Sequence, residues 1–176
     1  MNAPVNSFDA VSVAVLPSVA RFNLRIAPDD LASATKAFGL KLPGKIGEGV
    51  QKSDRAAYCI GPDEWLLHAA ETDQSAIVAQ FDTARAKTPH SLTVISDREV
   101  TIGITGPAAI EMLSVACPLD LSRMAVGCAK RTVFDYAQVV LIRDGDDAFR
   151  LEVWRSFFPH VSGLLEIAVK ELTVGL

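Results

Sequence analysis

The 176-residue sequence predicts an α+β fold: two ferredoxin-like βαββα units, a mostly antiparallel sheet and helices on one face. Three observations predict it. Strand-like segments alternate apolar and polar residues, helix-like segments repeat at a period near 3.6, and the two kinds follow the same order twice. Tight-turn residues between successive strands imply hairpins, and hairpins imply antiparallel pairing.

Residues 1–20 read as a flexible lead, because Pro4, Asn6, Ser7, Pro17 and Ser18 interrupt any period. Residues 11–15 can still add an edge strand. Residues 21–176 then form a single globular domain of two halves, about 21–97 and 98–176. In the first half, Phe22, Leu24 and Ile26 alternate with polar neighbours over a strand at 21–26. A helix over about 29–38 can be capped by Asp29 or Asp30, and Gly39 suits its C-terminal turn. Residues 39–55, rich in Gly and Lys, read as a loop. Strands at 57–60 and 65–69 flank the turn residues Gly61-Pro-Asp-Glu64. A helix over about 73–87 buries Ile77, Phe81 and Ala84, and a strand at 92–95 closes the half.

The second half begins with a strand at 100–104. Gly106-Pro107 starts a helix, with the proline at its first position. Residues 117–128 connect it to strands at 130–134, 137–142 and 148–154. The last helix, about 159–172, carries the clearest apolar stripe: Val161, Leu164, Leu165, Ala168, Val169 and Leu172.

Composition excludes several function classes. The net charge of −4 and the scattered Lys and Arg give no basic stripe for nucleic acid. No run reaches the ~18 apolar residues of a membrane span. The first ten residues lack a basic n-region, so a cytoplasmic location is expected. Cys59, Cys117 and Cys128 are an odd set without close spacing, which argues against a disulfide framework.

The search for chemistry leaves no catalytic, cofactor or metal residues to assign. Gly44-Lys-Ile-Gly47-Glu-Gly49 is glycine-rich, yet it matches no phosphate-loop spacing and follows a helix instead of starting one. His68, His90 and His160 lie in different elements, with no zinc-ligand spacing. The cysteines lack a neighbouring base, and a buried cysteine ordinarily acts as a small hydrophobe. The acidic pairs Asp29-Asp30, Asp63-Glu64 and Asp146-Asp147 fall at turns, where carboxylates satisfy backbone donors. One segment stands apart. Trp154, Arg155, Phe157 and Phe158 cluster where the final strand meets the last helix. They can plug the core, with Arg155 tied to nearby carbonyls, or they can face a partner, since Trp, Phe and Arg are enriched in interface cores.

The ordered set Ile60-Gly-Pro-Asp-Glu-Trp-Leu-Leu67, Val94-Ile-Ser-Asp97, Ile104-Thr-Gly-Pro107, Leu113, Cys117-Pro-Leu-Asp-Leu121 and Trp154-Arg-Ser-Phe157 resembles the gamma subunit of heterotetrameric sarcosine oxidase. The resemblance spans about residues 20–172. That family is similar in turn to the aminomethyltransferase fold, through the stretch Val100 to Leu113. The resemblance implies a structural, non-catalytic subunit of a sarcosine oxidase complex. It implies larger alpha and beta subunits and a small delta subunit as partners. FAD, FMN, NAD and tetrahydrofolate would sit in the larger chains, with none bound by this one. The complex would demethylate sarcosine oxidatively to glycine, with hydrogen peroxide and methylene-tetrahydrofolate or formaldehyde. Two alternatives remain open at this point. One is a stand-alone folate-binding or aminomethyltransferase-like protein, and the other is a small regulatory domain using the loop at 44–55.

Overall fold

Two hairpin-rich sheets dominate the computed structural model, which describes residues 4–8 and 10–174. The chain divides into two units, one of Ser18–Ser96 and one of Met1–Pro17 with Asp97–Leu176. Both are α+β units of the expected ferredoxin-like kind.

In the Ser18–Ser96 unit the elements run β3 (Ala20–Ile26), α1 (Leu31–Phe38), β4 (Gly49–Lys52), β5 (Arg55–Gly61), β6 (Glu64–Ala69), α2 (Gln74–Arg85) and β7 (His90–Val94). They follow β1 (Pro4–Phe8) and β2 (Val11–Val15) in the chain. The sheet order is β4-β5-β6-β3-β7, with every pair antiparallel. Phe22, Leu24, Trp65 and Leu67 present one face of it to Phe38 of α1 and to Ile77 and Phe81 of α2. The Trp65 ring is 1% exposed, and its Nε1–H donates to the Pro43 carbonyl oxygen at 2.8 Å. This bond gives the buried indole its partner and fixes the chain after α1.

Sequence reasoning read 39–55 as one loop, yet Gly49–Lys52 pairs with β5. Its glycine and lysine carry no strand signal, so pairing with a committed neighbour decides it. The expected Asp cap on α1 is also absent: Asp30 makes no side-chain cap bond, and a 3-10 turn over Pro28–Asp30 leads into the helix. Gly39 ends α1 in the left-handed conformation, φ 74°, as expected. Arg55 supports that end. It donates to the Phe38 carbonyl, lies 5.6 Å from the Phe38 ring centroid and pairs with Asp73 at 2.8 Å.

The other unit holds β8 (Glu99–Thr105), α3 (Ala109–Ser114), β9 (Ala129–Phe134), β10 (Ala137–Gly145), β11 (Ala148–Trp154) and α4 (Phe158–Val174), with β1 and β2. Its sheet order is β1-β2-β8-β11-β10-β9. The two sheets share one plan: β9, β10, β11, β8 and β2 take the places of β4, β5, β6, β3 and β7. The last place is filled from opposite directions, by a C-terminal strand in one unit and by the N-terminal β2 in the other.

The lead expected to be flexible is therefore corrected. Pro4–Phe8 and Val11–Val15 pair with each other, and β2 pairs with β8. Residues 1–3 of that lead lie outside the described residues. Of the residues that suggested irregularity, Pro4, Asn6 and Ser7 lie within β1 and Pro17 and Ser18 fall between β2 and β3, while Val11 and Val13 are buried in the core under α3 and α4. Pro107 lies before α3 instead of at its first position, because the helix starts at Ala109.

Two glycines of β8 and its following turn seat the N-terminal strand. A Cβ on Gly103 would lie 2.9 Å from Leu16. Gly106 has φ +127°, and a Cβ there would strike the Ala10 carbonyl, which accepts the Ala108 N–H at 3.0 Å. Arg143, on β10, holds the connector 117–128 by donating to the carbonyls of Leu121 at 3.2 Å and Met124 at 2.5 Å.

Gly106→Ala should therefore lower stability by ~2 kcal/mol or more, through a strained positive φ and a clash. Gly163→Ala, in the interior of α4 with open space around it, should instead raise stability by ~0.5–1 kcal/mol. Urea unfolding of the two variants checks the opposite signs.

Candidate functional site

The segment leaving β11 turns sharply into α4. The Phe157 N–H donates to the Trp154 carbonyl at 2.8 Å, and the Val161 N–H donates to the Phe157 carbonyl at 3.0 Å. This winding separates the four residues singled out by sequence. Phe157 and Phe158 are half-buried and pack against the core of their unit. Trp154 stays 38% exposed, and Arg155 is exposed. The Arg155 backbone donates to the Arg98 carbonyl at 2.8 Å, and its Nε–H donates to the Asp97 carbonyl at 3.0 Å. So the core-plug reading fits the two phenylalanines and the Arg155 tether, while the indole faces outward.

Sequence reasoning missed the residues that complete the cluster. Trp154 pairs across the sheet with Glu99, which brings Arg98 beside it. The Arg98 guanidinium lies 5.2 Å from the indole centroid, a cation–π distance, and also pairs with the buried Glu99 carboxylate at 2.7 Å. On the other side, Phe157 meets Trp154 at 6.4 Å and Tyr136 at 6.3 Å, the latter edge-to-face. Tyr136 is 67% exposed and stacks on the His160 ring at 4.2 Å. His160 Nε2 lies 2.9 Å from Asp135 Oδ2. Asp135 and Tyr136 form the two-residue turn between β9 and β10, where Asp135 takes φ +53°. A short polar side chain tolerates that backbone. The signal was available only as an Asp-Tyr step between two strand-like runs; nothing in it pointed toward His160.

The result is a continuous exposed surface of Trp154, Tyr136 and the edge of Phe157, with guanidinium and imidazole groups around it. Aromatic side chains give large contact area at low entropic cost.

The other sequence candidates have structural places. Cys59 is buried in β5 and donates to the Gly61 carbonyl at 3.3 Å. Burial pushes its thiol up from the ordinary value; the Gly61 contact opposes this in part and nearby Glu48 adds to it. A thiol held protonated is a poor nucleophile. Cys117 is buried and Cys128 half-buried. His68 is buried on β6 against Tyr58, and His90 Nδ1 lies 2.8 Å from the Thr88 carbonyl oxygen. Among the described residues, no group of three or more His, Cys, Asp or Glu could hold a metal ion.

The glycine-rich loop does not fit a dinucleotide. Its Gly47 N–H donates to the Cys59 carbonyl at 2.8 Å, and its Glu48 carbonyl accepts the Cys59 N–H at 3.0 Å. Those groups extend the sheet and are not free to face a phosphate. Asp63 pairs with Arg25 at 2.7 Å; Glu64, buried, accepts from Asn23 at 2.7 Å and pairs with Arg25 at 3.0 Å. Asp120 is held below its ordinary value, chiefly by the Ser122 hydroxyl at 2.5 Å. No helix among the described residues is long and apolar enough to cross a membrane.

Comparison with known proteins places this arrangement. Residues 25–170 match the family described as sarcosine oxidase, gamma subunit. The sarcosine oxidase subunit gamma of Corynebacterium sp. strain U-96 is 28% identical over 94% of this chain and 82% of that protein. The subunit gamma of Corynebacterium sp. strain P-1 is 29% identical over 80% of this chain and 70% of its own length. A chain of the heterotetrameric sarcosine oxidase of strain U-96, solved with pyrrole 2-carboxylate, superposes with a TM-score of 0.86 at 28% identity, covering 96% of this chain and 88% of that one. Aminomethyltransferase T of the glycine cleavage system from Bartonella henselae shares the fold, with a TM-score of 0.68 at 13% identity, over 89% of this chain and 45% of that one.

Native Cys59 should resist iodoacetamide at pH 8 and react fully in urea. Peptide mass spectrometry reads both, and rapid native labelling at Cys59 would contradict the buried, protonated thiol.

Proposed function

The chain belongs to the sarcosine oxidase gamma subunit family, and from that membership we propose that it is a non-catalytic assembly subunit of a heterotetrameric sarcosine oxidase. The match over residues 25–170 carries the reading. The exposed Trp154–Tyr136 surface supports it, because an indole and a phenol ring left in solvent near one another offer apolar area that a partner can cover.

In this reading the partners are larger alpha and beta subunits and a small delta subunit. Those chains hold FAD, FMN, NAD and tetrahydrofolate, and they carry out the oxidative demethylation of sarcosine. The products are glycine, hydrogen peroxide and methylene-tetrahydrofolate, or formaldehyde when folate is absent. This chain adds contact surface. Trp154 is the anchor, Arg98 and Arg155 set its orientation, and Phe157 and Phe158 tie the anchor to a rigid core. The buried thiol, the sheet-bonded glycine loop and the paired carboxylates all favour a supporting role over a reacting one.

Likeness to aminomethyltransferase reaches the fold alone. The two grooves between α1 and α2 are lined by Ser33, Lys36, Gln80, Lys87 and their neighbours, without a carboxylate to meet a pterin ring. Calorimetric titration of the isolated chain with tetrahydrofolate should give no binding heat; saturable binding would move the role from assembly to ligand handling.

Trp154→Ala should weaken assembly with the other subunits by ~2 kcal/mol, or about 30-fold, as for an interface anchor. The half-exposed ring contributes little to the folded monomer, so circular dichroism should not change. Sedimentation of reconstituted subunits measures the loss, and wild-type assembly by a well-folded variant would remove Trp154 from the interface.

A further inference from the structure

The two sheets present four outer edges, and three of them carry features that discourage further pairing. β1 contains Pro4 and an irregular register between Pro4 and Asn6. β4 ends in exposed Lys52, followed by Ser53 at φ 54°. β9 carries exposed Lys130 and Arg131. Lysine, proline and bulges on an edge strand are the usual means by which a sheet avoids adding another chain.

β7 has none of these. Its sequence is His90-Ser-Leu-Thr-Val94, with no Pro, Lys, Arg, Asp or Glu. It ends the five-stranded sheet, where β3 is its partner. Ser91, Thr93 and Val94 are exposed, and Val94 keeps 43% of its surface in solvent. The backbone orientation follows from the ladder. The Ile95 N–H donates to the Arg21 carbonyl at 2.8 Å, toward β3, and Thr93 and Ser91 stand opposite Asn23 and Arg25. Antiparallel pairing alternates direction residue by residue, so His90, Leu92 and Val94 turn their N–H and C=O groups away from the sheet.

We propose that this edge receives an extended, uncharged segment of a partner subunit, added to the sheet as a sixth strand. The inference rests on the reading of the chain as one subunit of a heterotetramer. It goes further in naming a second contact, of different chemistry from the aromatic surface. Main-chain hydrogen bonds from residues 90, 92 and 94 give the affinity. Specificity comes from Leu92 and Val94 on the helix-covered side and Ser91 and Thr93 on the other, which match a strand alternating apolar and neutral polar residues. A charged partner residue over this edge would lose hydration without finding a counter-charge in β7.

Hydrogen exchange on the isolated full chain and on the purified complex tests this directly. The amides of His90, Leu92 and Val94 should exchange at least about tenfold more slowly in the complex, as newly bonded ladder groups do. Equal rates in both states overturn the proposal. Slowing that develops in the isolated chain as its concentration rises assigns the edge to a second copy and overturns the partner strand. A chain that enters no complex at all overturns the assembly reading first, before any amide is compared. A variant gives an independent measure. Val94→Pro removes one outward N–H and leaves the β3 ladder intact, a position where an edge tolerates proline. It should fold normally and assemble about tenfold more weakly, whereas Val94→Thr should assemble as the parent does. Unchanged assembly by folded Val94→Pro overturns the proposal.

Discussion

Strand β8 must be paired on both sides, and the organisation of its unit follows from that requirement. Its neighbour β11 arrives by the chain's ordinary progress through hairpins. Its other neighbour, β2, comes from before the Ser18–Ser96 unit, so a whole folded unit intervenes between the two strands. Closing such a long connection carries an entropic cost that grows only slowly with length. The closure is secured locally by Gly103 under Leu16, by Gly106 against Ala10, and by Val11 and Val13 in the core beneath α3 and α4.

Much of this was legible in the sequence. Hairpin turns, the stripe of α4 and the alternation of β3 and β11 are local signals, and local signals survive in the fold. What escaped notice depends on partners distant in the chain. β4 has a loop's composition and becomes a strand because β5 offers it a ladder. β2 was readable as an edge strand, but its place beside β8 was not, so the shared strand order of the two units stayed hidden behind a repeat of element order. The candidate surface shows the same division. Trp154, Arg155, Phe157 and Phe158 stand together in sequence and announce themselves. Arg98, Tyr136 and His160 reach the same place from three other elements, through the β8–β11 register, a two-residue turn and the first turn of α4.

The chain uses its reactive residue types as structure. The Cys59 thiol is buried and bonded to a carbonyl, the Glu64 carboxylate is tied to Asn23 and Arg25, and the Arg143 guanidinium organises a connector through backbone oxygens. Trp154 and Tyr136 near the start of α4 and Val94 on β7, by contrast, leave apolar surface in solvent. Both features are tied to a packed core, the first through Phe157 and Phe158 and the second through Leu92.

The strand that closes the β8 sheet also bears on biosynthesis. Residues 11–15 leave the ribosome before the Ser18–Ser96 unit, which is contiguous and can fold as soon as it emerges. Until β8 is synthesised, β2 has no strand to join other than β1. The nascent chain thus carries an apolar segment, Val11-Ser-Val-Ala-Val15, that waits for its partner while the Ser18–Ser96 unit is made. The unit that draws on segments before and after Ser18–Ser96 completes after that one, and it is the unit that bears the aromatic surface. A partner docking on that surface would therefore meet it only after the Ser18–Ser96 unit has been made.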